Sequence, residues 1–259
     1  VKFKELGLVI VDEQHRFGVL QRGKLLDKGY NPHFMAMTAT PIPRTLAITY
    51  LGDMDVSIID ELPVGRTPVV TKIVEPIRMP KVFAFITDEI KAGRQCMVIY
   101  PLVEESEKND LAAAVEAYQK LSKKVFTDLN VGLVHGRMKT DEKNNIMKKF
   151  ESNEINLLVS TTVIEVGVDI PNATVMVVEH AERFGLTQLH QLRGRVGRGS
   201  GKGYCILVHH NESDNSRLRL DIMERTNDGF QIADEDLKLR GPGDYFGMRQ
   251  SGFIQYRIA

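Results

Sequence analysis

The sequence predicts an α/β fold, with parallel sheets covered by helices on both faces. Three observations carry this. Strand-like runs such as Leu6 to Val11 and Ile155 to Val159 are continuously apolar, as expected of strands buried on both sides. From Val69 onward such runs alternate with helical stretches, the pattern of β-α-β units with right-handed crossovers. Polar clusters follow directly on several of the strands, at the carboxyl ends where open α/β sheets bind ligands.

At 259 residues the chain is long enough for roughly two domains. Its apolar fraction of 42% and charged fraction of 26% are those of a soluble globular protein. No apolar run reaches bilayer-spanning length, and Val1 to Val11 lacks a signal-peptide layout, so no membrane role is expected. The chain starts without Met and enters a strand almost at once, which reads as a cut from something longer. Cys96 and Cys205 sit in apolar runs and are expected to be buried and reduced, consistent with a cytoplasmic setting. Lys plus Arg and Asp plus Glu balance at 34 each, so net charge announces no nucleic-acid partner. Such binding must come from local patches, such as Arg193, Arg195, Arg198 and Lys202.

The first strand, Leu6 to Val11, delivers Asp12-Glu13-Gln14-His15. An Asp there can hold a hydrated Mg²⁺, and the adjacent Glu can deprotonate an attacking water; a plain acidic turn is the competing reading. Residues 16 to 28 read as a helix or helical turn. Gly18, Gly23 and Lys24 nearly spell a phosphate loop, but Leu25 stands where a Mg²⁺-binding hydroxyl belongs, and no buried strand leads in. Gly201-Lys202 fails likewise, with Val196 in place of the first glycine. His33 to Met37 is a second strand, running into Thr38-Ala39-Thr40-Pro41 and a helix near Pro43. Asp55 to Ile59 reads as a third strand, and Glu61 to Pro68 as a linker at a domain boundary.

Val69 to Val74 opens the second domain as a strand. Pro80 to Lys91 is a helix, Gln95 to Tyr100 a strand, and Glu104 to Lys123 mostly helix. Val131 to Val134 is a strand leading to His135-Gly136-Arg137-Met138. Thr140 can cap the next helix, whose acids lie in the first turn and lysines in the last. Ile155 to Val159 delivers Thr161-Thr162-Val163-Ile164-Glu165-Val166-Gly167-Val168-Asp169, and Thr174 to Val178 follows as a strand. Next comes Gln188 to Gly199. On a helix, Gln188, Gln191 and Arg195 share one side, continued by Arg198, while Leu189, Leu192 and Val196 share a neighbouring side. An amide and two guanidiniums so placed suit a triphosphate; a basic surface helix is the alternative. Gly194 and Gly197 are read as allowing close approach at a fraying helix end. Tyr204 to His209 is the last strand. Residues 212 to 225 and 234 to 239 read as helical, with 226 to 230 as a break between them. The tail from Arg240 to Gly252 is glycine-rich with aromatics and arginines: either an ordered contact loop or a surface loop packed on its own domain.

The order of these motifs resembles superfamily 2 helicases and translocases. Leu239-Arg240-Gly241-Pro242-Gly243-Asp244 with Arg249-Gln250-Ser251-Gly252 is similar to the translocation motif of RecG-type branch-migrating DNA helicases. The resemblance implies RecA-like motor domains: residues 1–62 as the end of a first, 63–225 as a complete second, and 226–259 as a coupling motif. It implies ATP and Mg²⁺ as cofactors. Asp12 would bind Mg²⁺, Glu13 would activate water, and Gln14 and His15 would sense the γ-phosphate. Thr38 and Thr40 would couple hydrolysis to DNA movement. Gly167 and Asp169 would approach the nucleotide, and Gln191, Arg195 and Arg198 would close over its phosphates, the two arginines as finger candidates. Gly136, Arg137, Thr161 and Thr162 would track a DNA backbone, and Arg240, Arg249 and Gln250 would drive duplex movement. The implied partners are branched double-stranded DNA, the missing N-terminal half of the same protein and a single-strand-binding protein, in the bacterial cytoplasm at the nucleoid.

The chain departs from that family in lacking a phosphate loop and a wedge domain, so it is expected to hold half an ATP site and to turn over poorly alone. A bare apolar face on the first-domain remnant is expected to drive self-association. A transcription-repair translocase, whose tail typically has Ala and Asn at positions 242 and 244, a non-catalytic nucleic-acid or partner-binding module, and a nucleotide hydrolase without a DNA role are the other readings.

Overall fold

The structure, a computed structural model, describes residues 3–13, 24–39, 54–59, 61, 63, 65–101, 107–161, 170–199, 201–210 and 214–240. It divides into two compact units, Val1–Asp53 and Met54–Ala259.

In the first unit, β1 (Leu8–Asp12) and β2 (His33–Met37) pair in parallel, with Leu8 opposite His33 and Asp12 opposite Met37. Val9 and Val11 are buried, whereas Leu8 and Ile10 point outward with Met35 and Met37. Residues 54–59 form no strand, contrary to the expectation for 55–59. Apolar alternation there has no partner: Val56, Ile58 and Ile59 are exposed. A strand needs a partner to satisfy its backbone, and among the described residues no strand pairs with this segment.

The second unit is built on a six-stranded, all-parallel sheet. Its strands are β3 (Val70–Val74), β4 (Gln95–Tyr100), β5 (Val131–Val134), β6 (Leu157–Thr161), β7 (Ala173–Val178) and β8 (Tyr204–Val208), in the order β3-β8-β7-β4-β6-β5. Among the described residues six α-helices accompany it: α1 (Met79–Lys91), α2 (Glu107–Lys120), α3 (Thr140–Glu151), α4 (Leu186–Arg193), α5 (Asp214–Arg225) and α6 (Gly229–Arg240). A π-helical turn, Leu121–Val125, extends α2.

Strand periodicity assigns the two cores. Met97, Ile99, Leu158, Met176, Val178, Cys205 and Leu207 face a core shared with Phe150 of α3, Leu186 and Leu189 of α4, Leu220 and Met223 of α5, and Ile232 of α6. The intervening Cys96, Val98, Leu157, Val159, Val175, Val177 and Ile206 face a second core with Val82, Ile86 and Ile90 of α1 and Leu121. Helices thus cover both faces, and each strand is apolar without a break. Cys96 and Cys205 are buried free thiols, and burial raises the pKa of both. No helix among the described residues is long and apolar enough to cross a membrane.

Two helix starts differ from the sequence reading by local chemistry. Thr140 is the first residue of α3 rather than its cap; Lys139 precedes it, and its backbone N–H donates to the Glu142 carboxylate at 3.3 Å. The last helix begins at Gly229, five residues earlier than expected. Asp228 accepts from the N–H of Phe230 at 2.8 Å and caps it, so the helix starts within the 226 to 230 stretch that the sequence reads as a break.

Candidate functional site

At the end of β1, Asp12 is exposed and its Oδ1 accepts from the Glu13 N–H at 2.9 Å. Glu13 turns the chain with φ 50°, leaving the strand in a left-handed conformation. The register places Asp12 beside Met37, so Thr38 leaves β2 next to Glu13. The structure therefore brings Asp12, Glu13 and Thr38 to one carboxyl edge. Gln14, His15 and Thr40 lie outside the described residues.

In the second unit the expected residues divide between opposite edges of one sheet. Gly136 and Arg137 form the exposed turn after β5, and Thr161 ends the adjacent β6, all at the carboxyl edge. Lys143 of α3 reaches over that turn and donates to Gly136 O at 2.9 Å. At the same edge, beyond β7 and β8, His180 and His210 stack with centroids 3.8 Å apart. His210 Nε2 lies 2.9 Å from Glu179, and His180 Nδ1 lies 3.4 Å from Glu182. Burial pushes the Glu182 carboxyl up, but the His180 hydrogen bond and the backbone N–H groups of Glu182 and His210 outweigh it and hold it at about 2.

The arginine stretch returns to the amino edge. Its helix, α4, stops at Arg193, before Arg195 and Arg198, so those two do not continue the Gln188–Gln191 side as a helix. Gln188 is spent locally, accepting from the Gly185 N–H at 3.1 Å. Beyond the helix the glycines fix the path. Gly197 has φ +67°, its N–H donates to Ala173 O at 3.2 Å, and a Cβ there would lie 2.9 Å from Gly203 Cα. A Cβ on Gly199 would lie 2.5 Å from Pro171 O. Close approach is thus what these glycines provide, and it seats the stretch against residues 170–173. Arg198 Nε folds back onto Gly194 O at 2.9 Å, and Arg66 Nη2 reaches the same oxygen at 3.3 Å. Gly167, Asp169 and Thr162 lie outside the described residues, as do Arg249 and Gln250; Arg240 is the last residue of α6.

Arg193 corrects a further expectation. Read from sequence as part of a basic surface patch, it is only 3% exposed. Its Nη1 donates to Met223 O at 2.9 Å, Thr226 O at 2.8 Å and Thr71 Oγ1 at 3.4 Å, and its Nη2 lies 2.9 Å from His190 Nδ1. Three carbonyl or hydroxyl acceptors and an imidazole stand in for solvent around the buried guanidinium. Burial lowers the pKa of Arg193 and, with the adjacent guanidinium, that of His190, which falls to about 4.

Residues 79–200 match the family described as helicase conserved C-terminal domain. Residues 226–259 match ATP-dependent DNA helicase RecG, domain 3, C-terminal. The ATP-dependent DNA helicase RecG of Synechocystis sp. is 56% identical over 259 residues, covering 100% of this chain and 31% of that protein. RecG of Bacillus subtilis is 53% identical, covering 100% of this chain and 38% of that protein. Over its whole length the chain is similar in sequence to these RecG proteins. A solved structure of RecG bound to a three-way DNA junction superposes with a TM-score of 0.77 at 48% identity, covering 95% of this chain and 31% of that one. The chain thus spans about a third of the length of the RecG proteins it matches. Arg193 joins the two matched regions, since it lies in the first and holds the carbonyl of Thr226, where the second begins. No motif count singles it out among the four arginines from 183 to 198; only its burial does.

Proposed function

We propose that this chain is the part of an ATP-driven branched-DNA motor that closes over the nucleotide and passes the stroke to DNA. On this reading residues 1–62 end a first motor domain, 63–225 form a second and 226–259 form the coupling motif. The observation that carries it is the internal tie from the arginine helix to the carbonyls of Met223 and Thr226, which links α4 to α5 and to the segment that leads into α6. A shift of Arg195 and Arg198 on phosphates would then reach the C-terminal helices through packed groups rather than through solvent.

The nucleotide is ATP with Mg²⁺. Among the described residues no cluster of three metal-ligating side chains occurs, and Mg²⁺ does not need one: it is held by one or two carboxylates with phosphates and water. Asp12, exposed at the end of β1, fits that part. Bound Mg²⁺ would neutralise charge on the phosphates; Glu13 would orient and deprotonate the attacking water, with Gln14 and His15 sensing the γ-phosphate. Gly167, Asp169 and Gln191 would hold the nucleotide, Arg195 and Arg198 would stabilise charge as it develops, and Thr38 and Thr40 would link hydrolysis to movement. Gly136, Arg137, Thr161 and Thr162 would follow a DNA backbone, and Arg240, Arg249 and Gln250 would engage the duplex. The solved RecG relative carries a three-way junction, which supports branched DNA as the substrate; the setting we infer is the bacterial cytoplasm at the nucleoid, with single-strand-binding protein as a partner.

ATP hydrolysis tests this. The chain contains no phosphate loop, so alone it should show no turnover with or without forked DNA. Supplied with the phosphate-loop segment of a RecG relative, it should gain DNA-stimulated turnover that Glu13→Gln abolishes and Arg198→Ala lowers by about a thousandfold. DNA binding without turnover under both conditions would instead make this chain a binding module.

A further inference from the structure

We propose that His135 and Thr161 clasp a single backbone phosphate of the nucleic-acid strand, and that His135 takes up a proton from solvent as it does so. This rests on the nucleic-acid reading above and adds a regulation of that grip.

Two orphaned atoms carry the inference. Thr161 is 0% exposed and its Oγ1 has no hydrogen-bond partner; the buried Nδ1 of His135 has none either. A buried polar atom left unpaired costs about 1–3 kcal/mol. Two of them side by side fit a ligand that satisfies both. They are neighbours by register, since Val131 faces Leu157 and Val134 faces Ser160 across parallel strands, which makes His135 and Thr161 the next pair. By alternation both belong to the face on which Val131, Leu133, Leu157 and Val159 meet the second core. Tyr100, opposite Thr161 on β4, extends the row, and burial keeps its phenol neutral.

The surroundings select an anion. Lys143, from α3, is anchored over the turn by Gly136 O, and Arg137 follows in the turn itself. Glu142, also on α3, is the opposing acid. Burial, then Lys143, then Arg137 lower the His135 pKa, with Glu142 acting against them. With no anion beside it the ring is therefore neutral at pH 7. A phosphate reverses the balance: its charge favours imidazolium, and the charged ring and the threonine hydroxyl both donate to its oxygens. Binding and protonation are then linked, and acidification tightens the grip. A pKa rise of one unit on binding corresponds to as much as a tenfold gain in affinity.

The test is binding of a forked DNA to this chain by fluorescence anisotropy, at fixed ionic strength, near pH 6 and near pH 8. The unmodified chain should bind several-fold tighter at the lower pH. His135→Asn keeps an amide N–H close to the Nδ1 position but cannot titrate, so whatever affinity it retains near pH 8, it should lose the acid enhancement. Thr161→Val, nearly isosteric, should weaken binding about fivefold to tenfold at both pH values and leave the slope intact. NMR of the His135 ring should show its titration moving upward when DNA is added. Equal affinity at both pH values, or a full slope in His135→Asn, would overturn the proposal while leaving DNA binding standing. Competition by inorganic phosphate as effective as competition by DNA would assign the pair to a free anion and overturn it too. No binding by the unmodified chain at either pH would overturn the nucleic-acid reading itself, and this inference with it.

Discussion

Arg193 shows how one side chain can organise a site it does not enter. Its guanidinium is buried without a carboxylate, and it is satisfied by Met223 O, Thr226 O, Thr71 Oγ1 and His190. Arg193→Ala would leave two carbonyls without a donor and a cavity behind them, a loss on the order of 2–4 kcal/mol. Thermal or urea denaturation should show that drop, and a change within half a kcal/mol would mean water replaces the guanidinium freely. His190 gives the same region a pH signature. Burial and the neighbouring Arg193 hold its pKa at about 4, below the ordinary imidazole value. Its Nδ1 lone pair faces the guanidinium. Because the folded value is depressed, the unfolded chain binds more protons, so stability present above about pH 6.5 is lost as pH falls toward 4. The loss amounts to roughly 3 kcal/mol at most. His190→Asn, which keeps an acceptor near Nδ1 but does not titrate, should flatten the stability profile across that window; an unchanged profile would place the titrating group elsewhere.

At the level of elements, the strands were legible because burial on both faces demands unbroken apolar runs. Val69 to Val74, Gln95 to Tyr100 and Val131 to Val134 each agree with the observed strands to within a residue. The 55–59 run shows the limit of that rule, since an apolar pattern makes a strand only where a neighbour supplies hydrogen bonds. Site residues were legible as types and less so as geometry. Helical periodicity carried Arg195 and Arg198 onto a helix that ends at Arg193 with Gly194 as its C-cap, and the path beyond is set by Gly199 against Pro171, a contact distant in sequence. The pairing of His135 with Thr161 depends on register, which no single motif encodes. Gly199 and Gly132 test the glycine argument against each other. A methyl on Gly199 meets the Pro171 carbonyl at 2.5 Å, whereas one on Gly132 meets the Ile155 Cδ1 at 2.8 Å. Backbone cannot yield as a side-chain tip can. Gly199→Ala should therefore cost roughly 1–3 kcal/mol and displace Arg198, while Gly132→Ala should cost less. Denaturation of the two variants side by side measures the difference, and equal losses would remove the claim that Gly199 is there for close approach.

For the molecule as a whole, the two units differ in how much apolar surface they hide. In the second, both faces of the sheet are covered by helices. In the first, Leu8, Ile10, Met35 and Met37 stand exposed on a two-stranded sheet, and register puts Ile10 directly opposite Met35. A contiguous apolar face of this kind associates with whatever apolar surface it meets, and at high concentration the most available surface is a second copy. The chain should therefore show a weight-average mass by light scattering that rises with concentration. Replacing Ile10 by Lys and Met35 by Glu places opposite charges across the strand pair, which keeps the pairing favourable while abolishing the apolar face. The double variant should stay at the monomer mass over the same range. The helical content of the second unit should be unchanged, because neither residue belongs to its cores. A double variant that still associates would locate the sticky surface elsewhere, with exposed Val56, Ile58 and Ile59 the next residues to replace.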